Sequence, residues 1–157
     1  WNKMIKKSVI KHYYREGIHY YENLVFFLEN SKEIKKISLI HEPLYTYVIN
    51  DSSAVHSKKY SERKITNLDA LQIAIEIVPK EYKTYYKYLF IRSYSENKYY
   101  IKKNKLDIKK IEKFKDKYNR YTIEILKDKT FNKKKRIKCF IMRYLYLIYS
   151  LYYNIKK

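Results

Sequence analysis

The chain has 157 residues, a formal net charge of +20, one Gly, two Pro and one Cys. Glycine this scarce, against a usual ~7%, excludes a Gly-rich phosphate-cradling loop, which needs residues that tolerate φ > 0. The single Cys139 excludes an intrachain disulfide framework and fits a reducing, cytoplasmic compartment, while 46% hydrophobic content argues against a disordered tail.

The charge has two readings. Lys, Ile, Tyr and Asn dominate together, as A/T-rich codons produce. The same excess also attracts a polyanion or an anionic membrane surface. It is uneven: residues 1–60 carry ten Lys/Arg against six Asp/Glu, net +4, and residues 61–157 carry twenty-six against ten, net +16. The chain opens at Trp1, its first methionine is Met4, and it shows no secretory apolar region. It reads as a piece whose N-terminal part is absent. No Cys/His cluster has zinc-ligand spacing.

In chain order, residues 2–12 place Met4, Ile5, Ser8 and Val9 on one face of a short helix. Gly17 follows as a left-handed or close-approach residue. Residues 21–31 read as a second helix, with Leu24, Val25 and Leu28 along one side. The stretch "KKISLIHEPLYTYVIN" then changes period, and its β-branched and aromatic residues predict two short strands around His41-Glu42-Pro43. A polar loop, "NDSSAVHSKK", comes next. From Ser61 onward the pattern is helical. Ser61 reads as an N-cap, apolar residues fall at 65, 68, 71, 75 and 78, and Pro79 is a stop. Tyr82, Tyr85, Tyr86, Leu89 and Phe90 fall on one face of the next helix. Residues 105–127 carry Leu106, Ile108, Ile111, Phe114, Tyr118, Tyr121 and Ile125, and the last segment, 131–155, is the most apolar.

Three motifs occur in series: "WNKMIKKSVI", "EGIHYYENLVFFLE" and "KKISLIHEPLYTYVINDSSAVHS". In order and spacing this series resembles the end of the catalytic domain of family 2 glycosyltransferases, inverting enzymes of GT-A fold common in bacterial capsule and exopolysaccharide assembly. It covers residues 1–57. The resemblance implies a parent enzyme that uses a nucleotide-sugar donor, a divalent metal (Mn or Mg) and a glycan or lipid-linked acceptor. No Asp-x-Asp metal motif occurs in this chain, so no metal is expected bound to it. The family's Gly-Glu-Asp, which opens a helix, aligns with Tyr21, Glu22 and Asn23. The family's Asp is the general base that deprotonates the acceptor hydroxyl, and a carboxylate suits that step because it is ionised near neutral pH.

Asn23 therefore stands at the base position, and an amide can position a hydroxyl but not deprotonate it. Glu22 could act instead, although a neighbouring helical residue points about 100° away. On the residues alone, Glu22 is equally a favourable acid in a first helical turn and Asn23 a surface amide. The resemblance places Trp1, His19 and Tyr21 on the acceptor side, with the Trp1 ring able to support a sugar. His56 in the polar loop is a candidate metal ligand. Val48 departs from the Arg the family often has there.

The tail interleaves Tyr and Lys, as single-stranded nucleic-acid binders do. The helical spacing of the Tyr residues and the lack of a helix-turn-helix, RNP-like or zinc-finger signature weigh against nucleic acid. Residues 139–153 form an apolar run of about 15 residues, short of the ~20 that span a bilayer. Its basic flanks and tyrosines fit either a helix lying at an anionic membrane interface or a buried helix completing a bundle. The expected fold is mainly α: residues 1–60 are the end of a GT-A α/β domain with two helices and two short strands, and 61–157 are a helical extension of about four helices.

Overall fold

The computed structural model describes residues 4–46, 48 and 60–155; among them lie seven α-helices and no strand. The mainly α expectation holds. The N-terminal part is less regular than its pattern. Of the helix expected over 2–12, the described residues form only a 3-10 turn, Lys7–Val9, whose residues stay out of the core. Gly17 has φ 77°, and a Cβ placed there would meet nothing within 4 Å. The position requires the left-handed conformation, not a close approach. α1 then spans Glu22–Asn30 and buries Val25 and Phe26.

The two expected strands are not formed among the described residues. Residues 34–46 and 48 run as coil, with Ile37 and Leu39 each 81% exposed. A strand satisfies its backbone only through a neighbouring strand, and none of the described residues offers one. β-branched alternation without a partner leaves extended coil. Tyr47, Ile49 and the whole of the polar loop lie outside the described residues.

The rest is a helical assembly. After a 3-10 turn, Glu62–Ile65, α2 spans Thr66–Ile77. Ile65, Leu68, Leu71, Ile75 and Val78 are all buried, and the chain leaves the helix at Val78 before Pro79. Ser61 is extended, as an N-cap is, but its side chain makes no capping bond. α3, Lys80–Lys103, is the central helix. Its buried positions, from Tyr88 to Ile101, go all round its circumference, because α2, α5 (Lys115–Lys127) and α6 (Lys133–Tyr144) all pack on it. Tyr82 and Tyr85, expected on one face with Phe90, are exposed on the first turns while Phe90 is buried.

The predicted helix over 105–127 is broken. Lys105, at φ 54°, ends α3, and the Leu106 N–H donates back to the Ile101 carbonyl at 2.9 Å. A short α4, Lys109–Glu112, precedes α5. Ile111, Phe114, Tyr118, Tyr121 and Ile125 are nevertheless all buried. Phe90 sits between Phe114 and Tyr121, edge-on to both at 6.1 and 5.3 Å, and Tyr94 stacks on Tyr118 at 4.4 Å. The last segment is also two helices, α6 and α7 (Tyr146–Ile155), separated at Leu145. Asn132 caps α6, its side-chain oxygen accepting from the Lys135 N–H at 3.2 Å. Among the described residues six helices follow residue 61, against the expected four or so.

Candidate functional site

The segment aligned with the family's acidic motif sits at the start of α1. Tyr21 is left-handed, φ 63° and ψ 19°, and its carbonyl accepts the first helical bond from the Val25 N–H at 3.1 Å. Glu22 is half-buried in the first turn, where the helix dipole favours a carboxylate. Asn23 is exposed, and its Oδ1 accepts from the Tyr14 hydroxyl at 2.9 Å. The Tyr14 ring stacks on Phe26 at 4.7 Å and 13°. Asn23 and Phe26 are three residues apart on one helix, so a ring lying on one presents its hydroxyl to the other.

The N-terminal segment that carries Tyr14 is held by Asn30, a buried polar residue at the end of α1. Its Oδ1 accepts from the backbone N–H groups of Lys11 and His12 at 2.7 and 3.0 Å, and its Nδ2 donates to the His12 and Phe26 carbonyls at 2.8 and 2.9 Å. Arg15 adds an ion pair to Glu29 at 2.5 Å. The approach to α1 is tied to α2: the N–H groups of His19 and Tyr20 donate to Thr66 Oγ1 at 3.0 and 3.2 Å. His19 itself is exposed. Reading the sequence missed Asn30, Tyr14 and Thr66. Asn30 had one legible signal: it falls four residues after Phe26, on the buried face.

Asn23 is thus brought together with Tyr14, while Tyr21, Glu22 and His19 lie near it in the chain. Trp1 and His56 lie outside the described residues. Among the described residues, no group of three or more His, Cys, Asp or Glu could hold a metal ion. The described residues thus offer no ligand set for the divalent metal that the resemblance implies.

A second feature lies in the helical part. A half-open cleft of ≈ 300 Å³ is lined by Tyr94, Lys98, Glu112, Lys115, Arg143 and Tyr144, among others. Burial, then the neighbouring Lys102 and Lys115 charges, pull the Lys98 ammonium below its usual range. Lys98 lies over the Tyr146 ring at 4.6 Å, and Arg143 Nη1 donates to the Asn119 carbonyl at 2.7 Å. Three cations against one carboxylate suit an anion. No helix among the described residues is long and apolar enough to cross a membrane. No family model, curated protein or solved structure matches this chain.

Proposed function

We propose that this chain is the acceptor-side piece of a family 2, GT-A-type inverting glycosyltransferase, which moves a sugar from a nucleotide donor to a glycan or lipid-linked acceptor in bacterial surface polysaccharide synthesis. The observation that carries the reading is the backbone at Tyr21. The family pattern has Gly at this position, and Tyr21 holds a left-handed conformation that costs a non-glycine residue roughly 1–2 kcal/mol. The helix then begins at Glu22, as the motif requires.

In this reading the residue at Asn23 faces the acceptor hydroxyl whose oxygen attacks the anomeric carbon. A carboxylate there takes the proton. Asn23 accepts a hydrogen bond but takes no proton, so the native chain orients an acceptor without activating it. Donor and metal groups belong to the parent enzyme, and the piece alone is inactive. A cytoplasmic placement against the inner face of the cell membrane, near lipid-linked acceptors, belongs to the same reading.

Incubating the chain with nucleotide sugars and Mn²⁺ tests the division of labour. The reading predicts no donor binding; clear metal-dependent binding contradicts it. It also predicts an Asp-x-Asp at the end of a strand encoded ahead of Trp1. A non-catalytic basic module is the second reading, favoured by the cationic cleft at Lys98, Lys115 and Arg143. A salt series with single-stranded nucleic acid addresses its polyanion form, since phosphate binding weakens steeply with salt.

A further inference from the structure

The outer face of α7 is apolar and exposed to solvent. Leu147, Ile148, Leu151, Tyr152 and Ile155 are 78%, 55%, 63%, 53% and 87% exposed. At about 100° per residue these five fall within an arc of roughly 140°. The opposite face is anchored: Tyr149 is buried, Tyr146 packs on the core, and the Asn154 side chain accepts from the Tyr99 hydroxyl on α3. The helix is therefore held in place with its apolar face outward. On α6, Ile137, Phe140 and Tyr144 are exposed as well, so apolar exposure continues through the break at Leu145.

The surrounding charge identifies what covers this face. Residues 129–157 hold nine Lys/Arg and no Asp or Glu. Lys133 and Lys134 are exposed on the first turn of α6. Tyr144 shares the exposed side with Phe140 and also lines the cleft of Lys98, Lys115 and Arg143. A second copy of a chain with net charge +20 is repelled. Branched aliphatic residues give a nucleic-acid base no stacking platform. An anionic bilayer surface satisfies both features, taking apolar side chains into its interface and cations at its headgroups. α7 has ten residues, about 15 Å of helix, which lies in the interface and does not span it.

We propose that α7, with the exposed side of α6, is an interfacial membrane-docking surface for anionic bilayers. It stands on residues other than those that carry the transferase reading, and either can fail alone. The test is co-sedimentation of the chain with vesicles of phosphatidylcholine, with and without phosphatidylglycerol, over a salt series. Binding is expected with the anionic vesicles, at least tenfold weaker on neutral ones, and falling as salt rises. The double variant Leu147→Glu/Leu151→Glu is expected to lose binding at least tenfold with an unchanged melting temperature, since both side chains lie outside the core. Lys133→Glu/Lys134→Glu keeps the fold, because acids suit a helix N-terminus, yet binds anionic vesicles several-fold less. Failure of the native chain to bind anionic vesicles overturns the proposal, as does binding indifferent to the α7 variant. So does a dimer in sedimentation velocity that Leu147→Glu/Leu151→Glu dissolves, which would make a second copy the occupant.

Discussion

Removing the Asn30 side chain should detach the N-terminal segment from α1 while the helical core stays closed. Asn30→Ala removes three bonds between α1 and that segment: two accepted from the Lys11 and His12 N–H groups at 2.7 and 3.0 Å, and one donated to the His12 carbonyl at 2.8 Å. The fourth, to the Phe26 carbonyl, lies within the helix and adds little. Each cross-segment bond contributes about 1 kcal/mol net, and water replaces part of this at a half-buried site. The expected loss is ~1.5–3 kcal/mol of local stability, roughly ten- to a hundredfold in amide exchange. Hydrogen exchange read by mass spectrometry should show peptides covering residues 9–16 exchanging faster by that factor, with those of α3 unchanged. Asn30→Asp keeps the acceptors, loses both donors and turns a carboxylate toward the His12 carbonyl, so it too should speed exchange there. Equal acceleration in α3, or none in residues 9–16, refutes the clip.

Tyr21→Gly should raise stability by about 1 kcal/mol, because the left-handed backbone at φ 63° suits glycine and Tyr21 is already exposed; a lower melting temperature contradicts the strain argument. Burial pushes the Cys139 thiol up to about 12, so a thiol reagent at pH 8 should modify it only in denaturant, and rapid reaction of the native chain counts against the packing of α6. Burial, followed by nearby Glu112 and Tyr118 at Tyr94 and by Tyr118 and Tyr99 at Tyr146, pushes both hydroxyls up to about 12 from the ordinary 10. The fold favours their protonated form, so this stability is complete below pH 10 and drains away between pH 10 and 12. Phenolate absorbance and circular dichroism followed together should show a late tyrosine set ionising as the helices unfold; ionisation of every tyrosine near pH 10 with the helices intact opposes it.

The helical part was legible where a helix buries one face and leaves the other to solvent. Positions 65, 68, 71, 75 and 78, and then 111, 114, 118, 121 and 125, are buried as their spacing implied. Around α3 the logic failed, because a helix enclosed on several sides has no single apolar stripe, and its outermost tyrosines mark only its free end. Residues 34–46 misled for the opposite reason. Their alternation describes which side chains could share a sheet face, and no partner strand is among the described residues to make that face. The breaks at Lys105 and Leu145 carry no Gly or Pro, so nothing local announced them. At the candidate site, the start of α1 at Glu22 and the left-handed Gly17 followed from local residue types. The Tyr14–Asn23 bond and the Asn30 clip join residues 9 to 19 positions apart, a separation that no periodic pattern encodes.

The most direct measurement of the central claim is sugar transfer by the complete product of the gene, native against Asn23→Asp. Labelled nucleotide sugars, Mn²⁺ and a bacterial membrane-lipid extract supply donor, metal and acceptor. Aspartate keeps the bond from Tyr14, now charge-assisted, and supplies the carboxylate that the proposed reading needs as base, a role that typically contributes 10²–10⁴-fold. The account predicts metal-dependent labelling of the extract by Asn23→Asp at least a hundredfold above the native protein. Labelling that is absent in both, or equal in both, contradicts the assignment of position 23 as the base of a glycosyltransferase.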